Sequence, residues 1–132
     1  MGTTHKKQMT IKDIIYETVE FYENNPRSVE RVNGYTLRCK YYMEENGREL
    51  MCAVGRCLYK TKAKSLTDED MIASMRIKQG DFKKKYRGHS LSFWNELQML
   101  HDNDYFWDED DFGNTLSKRG EEHVKNLIKM FS

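Results

Sequence analysis

The spacing of apolar residues changes early in the chain, and this change constrains the fold more than any other feature. From Ile11 to Tyr22, apolar residues recur every three or four positions, which predicts an amphipathic helix with one buried face. From Tyr35 to Met43 they largely alternate with polar residues, and a two-residue period is typical of a half-buried strand. Because a short sheet must be covered by helices to bury its apolar face, the two periods together predict an α+β fold.

Local signals mark where these first elements begin and end. Thr10 followed by Asp13 predicts a capping box at the start of the helix, and Pro26 predicts its end. The pair Asn46-Gly47 tolerates positive φ and predicts a tight hairpin turn. The sheet is therefore expected to be one antiparallel hairpin spanning about 35–54, with its second strand from Glu49 to Val54.

The rest of the chain is expected to be mainly helical. Helices are predicted from Thr67 to about Met75, from about Ser92 to His101, and after Ser117 as N-cap. Residues 56–64 are expected to form a basic connector, and residues 76–82 either continue the preceding helix or add a short third strand. The resulting order is α-β-β-α-α-α, with about four helices packed on a small antiparallel sheet.

Length and composition set the organisation. With 132 residues the chain fits one domain, so we expect a flexible leader over 1–9 and a single α+β domain over 10–132. The leader has no signal-peptide core, and no apolar run approaches the length of a membrane span, so a cytoplasmic protein is expected.

The three cysteines argue against a metal or disulfide framework. Cys39, Cys52 and Cys57 are an odd number, and none belongs to a C-x-x-C pair. Free buried thiols in a reducing compartment are the expected state. A zinc site using Cys52, Cys57 and a histidine is the alternative, but no second pair of ligands has suitable spacing, so neither metal nor cofactor is predicted.

Charge is separated along a chain that is almost neutral overall. Between Arg76 and Gly88 there are six basic residues against one acid, whereas Asp102 to Asp111 holds six acids and no base. Both stretches could simply be solvated loops that keep the protein soluble. Both could also be binding surfaces, and the two possibilities stay open at this point.

The basic stretch suggests an anion site. Arginine and lysine bind phosphate, and aromatic rings between them can stack on a nucleotide base. The expected ligand contacts are Arg56, Tyr59, Arg76, Lys78, Tyr86 and Arg87. Sequence-specific DNA binding is not expected, because the net charge is only +1 and no helix-turn-helix or zinc-finger spacing appears. Since a chain of this size has little room for a deep pocket, a homo-oligomer with sites between chains is expected.

The acidic stretch suggests a protein-interaction surface. Its expected contact residues are Tyr105, Trp107, Asp108 and Asp110. The spacing of Asp108, Asp110 and Gly113 also resembles the first half of a calcium-binding loop. That loop requires a bidentate glutamate where this chain has Arg119, so calcium binding is excluded.

Catalysis has little support in the sequence. His101 beside Asp102 could act as a general base in a small hydrolase, but nothing nominates a nucleophile. A structural histidine near a helix end is the other interpretation. The chain also lacks phosphate-binding glycine loops and zinc-protease motifs, so a non-enzymatic protein is favoured.

Three short motifs resemble those of small uncharacterised proteins encoded by bacteriophages and prophages. They are Cys52-Ala53-Val54-Gly55, expected at a strand end, the helical Leu97-Gln98-x-x-His101-Asp102, and Leu116-Ser117-x-x-Gly120 at the last helix. The resemblance implies an accessory protein that sequesters a nucleotide signal of host defence or blocks a host factor in the bacterial cytoplasm. The leading expectation is thus capture of a small anionic ligand, followed by inhibition of a host protein through 102–112, and then hydrolysis.

Overall fold

The first helix begins and ends where the sequence predicts. The computed structural model describes residues 8–33, 35–66, 77–110 and 113–131. Helix α1 spans Ile11–Asn24, and the Thr10 hydroxyl accepts the Asp13 N–H at 3.1 Å. In return, the Asp13 carboxylate accepts the Thr10 N–H at 3.3 Å, which completes the predicted capping box.

The strands form three separate two-stranded antiparallel sheets in the described part of the chain. Their bounds are β1 Val29–Val32, β2 Tyr35–Cys39, β3 Tyr42–Glu45, β4 Arg48–Met51, β5 Trp107–Asp110 and β6 Gly113–Leu116. The α+β class is confirmed, but the single hairpin predicted over 35–54 is wrong. Residues 35–39 pair with the preceding strand, β1, and the hairpin around Asn46-Gly47 consists of β3 and β4 alone.

The alternating run divides because of one connection. The Lys40 N–H donates to the Ser28 carbonyl at 3.1 Å, and the Ser28 hydroxyl donates to the Lys40 carbonyl at 2.8 Å. These bonds hold Lys40 against the start of β1, so the strand stops and β3 begins at Tyr42. The turn prediction itself is confirmed, since Asn46 and Gly47 both have positive φ, at 52° and 78°.

Four further helices follow the β3–β4 hairpin among the described residues. They are α2 Ala53–Cys57, α3 Lys60–Ser65, α4 Leu91–Asp102 and α5 Lys118–Phe131, with single 3₁₀ turns at 79–81, 84–86 and 104–106. The predictions for α4 and α5 are confirmed, and the Ser117 hydroxyl accepts the Gly120 N–H at 3.1 Å as the predicted cap. None of these helices is both long enough and apolar enough to cross a membrane, within the residues that the structure describes.

Other predicted elements need correction. The second strand of the hairpin ends at Met51 rather than Val54, because the Cys52 sulfur accepts the Gly55 N–H at 3.3 Å and caps α2. The supposed basic connector at 56–64 is largely helix. The acidic stretch holds a 3₁₀ turn at 104–106 and strand β5, which pairs with β6, rather than a loop. The helix predicted from Thr67 to Met75 lies outside the described residues, and 77–82 holds a 3₁₀ turn and one bridge instead of a strand.

A single apolar core lies between α1, α2, α4 and α5. The Phe82 and Trp94 rings stack with their centroids 4.5 Å apart, and Phe93 meets Trp94 edge-on. Tyr22 reaches across the core from α1, and its hydroxyl donates to the Met51 carbonyl at 2.5 Å. The largest fully buried side chains are Trp94, Tyr22, Phe82, Phe93, Ile14, Ile15, Leu58, Leu97, Leu100 and Leu127.

Two helical glycines allow neighbouring backbone to approach closely. A Cβ at Gly55 would overlap the carbonyl oxygen of Tyr41, and a Cβ at Gly120 would overlap that of Phe106. Backbone cannot move aside as a flexible side chain can. Both positions therefore require the absence of a side chain for α2 and α5 to reach their observed places.

We predict that Gly55→Ala destabilises the fold by about 2 kcal/mol or more, because overpacking here outweighs the higher helix propensity of alanine. Urea unfolding followed by circular dichroism measures the change. Gly80→Ala is the matched control, since no atom lies within 4 Å of a Cβ built there, and it should change stability by less than about 1 kcal/mol. Equal stability of the two variants would contradict the close approach of α2 to Tyr41.

Candidate functional site

An isolated antiparallel bridge brings two basic segments together. Leu58 pairs with Phe82, the Tyr59 N–H donates to the Asp81 carbonyl at 3.0 Å, and the Lys83 N–H donates to the Cys57 carbonyl at 2.9 Å. Both apolar partners of the bridge are buried, so the pairing is anchored in the core. The start of α3 is thereby held beside the 79–87 segment.

We call the surface built on this bridge the basic face. Its members are Tyr59, Lys62, Lys78, Lys83, Lys84 and Arg87. At its centre the Arg87 guanidinium lies 6.0 Å from the centroid of the Tyr59 ring, and its Nη2 approaches the Tyr59 hydroxyl at 3.4 Å. The Tyr59 side chain is 41% exposed. Arg87 is oriented by the Phe82 carbonyl, which accepts from its Nε at 2.9 Å.

The surrounding lysines differ in how far they are already paired. Lys62 lies 3.4 Å from the Asp81 carboxylate, and the Lys83 ammonium donates to the Arg56 carbonyl at 3.3 Å. Lys78 and Lys84 are exposed. The basic face can therefore present several cations and one aromatic ring to a ligand from an open surface.

Two of the predicted ligand contacts face the core instead. Arg56 is only 8% exposed, and its Nη1 donates to the Glu17 carboxylate at 2.6 Å and to the Tyr86 hydroxyl at 3.1 Å. Its Nη2 donates to the Thr18 hydroxyl at 2.9 Å. The Tyr86 hydroxyl also donates to Glu17, and Tyr86 is 3% exposed. Of the six predicted residues, Tyr59 and Arg87 contact each other, Lys78 is exposed, and Arg76 lies outside the described residues.

Glu17 is the counter-charge that this buried group requires. Partial burial alone would raise the pKa of the Glu17 carboxyl, but its hydrogen bonds with Tyr86 and Arg56 and the charges of Arg56 and Lys85 lower that pKa on balance. Burial and the bond to Glu17 raise the pKa of the Tyr86 hydroxyl, which stays protonated. The cluster therefore holds one internal ion pair at neutral pH.

His101 is a structural histidine with both ring nitrogens engaged. Its Nε2 accepts the Ser28 N–H at 3.1 Å, so Nδ1 carries the proton and donates to Asp102 at 2.7 Å. Gln98 extends the chain of bonds, donating to Asp102 at 2.9 Å and accepting the Val54 N–H at 3.1 Å. Complete burial lowers the pKa of His101 despite the neighbouring Asp102. A general base must contact its substrate. The His101 ring is buried and both of its nitrogens are bonded within the protein, so it cannot do so.

The three motifs on which the predicted resemblance rests all have structural roles. Cys52 caps α2 and Gly55 permits its close approach to Tyr41, so this motif opens a helix rather than ending a strand. Gln98, His101 and Asp102 join α4 to β1 and α2. Ser117 caps α5, and Gly120 allows α5 to pack closely against the Phe106 carbonyl. These motif residues therefore stabilise parts of the fold, and none of them belongs to the basic face.

The predicted protein-interaction surface is only partly exposed. Trp107 is buried, and its Nε1 donates to the Leu100 carbonyl at 2.8 Å. Two acids of the stretch, Asp104 and Glu109, pair with Arg27. Tyr105, at 71% exposure, and Asp108 remain at the surface, and the side chain of Asp110 lies outside what the structure describes.

Arg27 is the residue that sequence reasoning missed. Its Nη2 donates to Asp104 at 2.7 Å and to Glu109 at 2.6 Å, and its Nη1 donates to the His101 carbonyl at 2.8 Å. Its side chain is 1% exposed. The cluster of acids was the one sequence feature that pointed to a buried cation, because two of these acids pair with Arg27. No local pattern indicates which cation it is.

The described residues contain no group of three metal-ligating side chains. Cys52 and Cys57 are free and buried, and burial raises the pKa of each thiol to about 12. Buried thiols of this kind are poor ligands because the thiolate is the binding form.

No known family, curated protein or solved structure matches the chain.

We predict that Glu17→Gln lowers the free energy of unfolding by about 2 kcal/mol at pH 7, because Arg56 stays buried without an opposite charge. The loss should be smaller than for a fully buried pair, since the Glu17 side chain is 31% exposed. Glu20→Gln, an exposed position on the same helix, is the control and should change stability little. Chemical denaturation at several pH values measures both variants.

The lowered pKa of Glu17 fixes the pH dependence of this effect. The carboxylate stabilises the fold above its unfolded pKa, about 4.3, and the contribution is lost as pH falls through the lower folded value. The stability difference between the wild type and Glu17→Gln should therefore shrink below about pH 4. A difference that stays constant down to pH 2.5 would show that charge is not its cause.

Proposed function

We propose that this protein is a non-enzymatic binding protein that captures a phosphate-bearing anion, such as a nucleotide, on the basic face. The observation that carries the proposal is the contact of Arg87 with the exposed Tyr59 ring, on two basic segments that the Leu58–Phe82 bridge holds together. A guanidinium can bind phosphate in a bidentate manner, and an exposed aromatic ring can stack on a base.

The openness of the basic face determines the kind of binding to expect. Exposed lysines act as point charges screened by salt, so affinity should fall as ionic strength rises. Stacking on one tyrosine accepts any base, because every base has an aromatic face. Binding should therefore be salt-sensitive and tolerant of base identity.

Two further features belong to the same proposal. A homo-oligomer would set the basic face of one chain against a second chain and enclose a ligand more fully than one open surface can. The resemblance to phage-encoded accessory proteins supports a role in the bacterial cytoplasm, where sequestering a nucleotide signal would counter host defence.

Calorimetric titration at low salt with mono-, di- and cyclic nucleotides and a short single-stranded oligonucleotide tests the proposal. We expect binding that Tyr59→Ala and Arg87→Gln each weaken about tenfold, which corresponds to about 1.4 kcal/mol. Tyr16→Ala is the matched control, because Tyr16 is also an exposed tyrosine beside a lysine but lies on α1. No heat with any ligand, or equal losses in all three variants, would exclude the basic face as the site.

A further inference from the structure

A second binding site is suggested by a cleft away from the basic face. The cleft has a volume of about 450 Å³ and lies between the β3–β4 hairpin and the segment that enters β1. The described residues that line it are Pro26, Arg27, Val29, Met43, Glu45, Asn46, Arg48 and Leu50. None of them belongs to the basic face, so the inference is independent of the proposed function.

The hairpin register explains the chemistry of one wall. Met43 pairs with Leu50 and Glu45 pairs with Arg48, and residues two apart on a strand share a face. All four side chains therefore lie on one face of the hairpin. Leu50 is buried near the base, while Glu45 and Arg48 are exposed towards the Asn46-Gly47 turn.

The opposite wall adds apolar surface and a buried cation. Val29 is 8% exposed, and Pro26 stands at the surface beside it. Arg27 uses both terminal nitrogens for protein acceptors, but its Nε–H is shielded from water and has no acceptor among the described residues. Arg27 therefore closes this wall without offering a donor that a ligand in the cleft can reach.

The cleft thus has an apolar base and, at its rim, one carboxylate opposite one guanidinium. We propose that it binds a small zwitterion with an apolar body, namely an apolar α-amino acid or a dipeptide. The ligand carboxylate faces Arg48, its ammonium group faces Glu45, and its side chain lies against Met43, Leu50 and Val29. The volume falls within the range of about 300–1,000 Å³ that is usual for small-molecule sites.

The same rim disfavours the ligand proposed for the basic face. A nucleotide carries one or more negative charges and no balancing ammonium group, so Glu45 would repel it and would be left without an opposite charge. A neutral pair of opposite charges matches a ligand that is itself neutral overall but charged at both ends. The two sites should therefore differ in ligand class and in salt dependence.

Titration with L-phenylalanine and L-leucyl-L-leucine, followed by calorimetry or amide chemical shifts, tests the cleft. N-acetyl-L-phenylalaninamide, which has the same apolar side chain and neither charge, should bind at least about fivefold more weakly. Arg48→Gln and Glu45→Gln should each weaken L-phenylalanine binding about fivefold, since each removes one charge contact. Glu121→Gln, an exposed position on α5, should leave it unchanged.

Thermal unfolding of each variant without ligand confirms that the hairpin is intact before binding is compared. Absence of binding at millimolar amino acid, or equal binding of the uncharged amide, would overturn the proposal. So would binding that Arg48→Gln and Glu45→Gln both leave unchanged. None of these outcomes bears on nucleotide binding, which depends on Tyr59 and Arg87.

Discussion

Arg27 carries a positive charge that is buried away from water, and much of the tertiary arrangement depends on the contacts that stabilise it. An unpaired buried guanidinium would cost several kcal/mol, so it requires opposite charges and hydrogen-bond acceptors at close range. Asp104, Glu109 and the His101 carbonyl supply them from positions 74 to 82 residues later in the chain. These bonds join the link between α1 and β1 to the end of α4 and to β5.

The neighbouring hydrogen bonds reinforce the same junction. Ser28 donates to His101, whose ring is held by Asp102, and Gln98 connects that carboxylate to the start of α2. Asn114 on β6 donates to the carbonyls of Tyr22 and Asn25, which fixes the end of α1. Elements from both halves of the chain are therefore joined by hydrogen bonds within one small region.

Internal pairing also explains which charges remain for binding. Arg56 and Glu17 neutralise each other inside the protein, as Arg27 does with its two acids, so these charges contribute little to the surface. Two groups among the charges left outside differ in their chemistry. The basic face carries an excess of cations around Tyr59, whereas the cleft beside the β3–β4 hairpin carries one charge of each sign above an apolar base. One small fold thus supports two proposed sites for unlike ligands.

The sequence by itself determined the α+β class, the start and end of α1, the helices α4 and α5, and the turn at Asn46-Gly47. Each of these depends on bonds or spacings within about four residues, such as the Thr10–Asp13 capping box, so local sequence is sufficient. Only the tertiary structure decided that Arg56 and Trp107 point inward. Their orientation depends on burial and on partners elsewhere in the chain. Arg56, for example, pairs with Glu17, which is 39 positions away, and no local pattern predicts that contact. The bridge between Leu58 and Phe82 is of the same kind, and it holds two basic segments side by side.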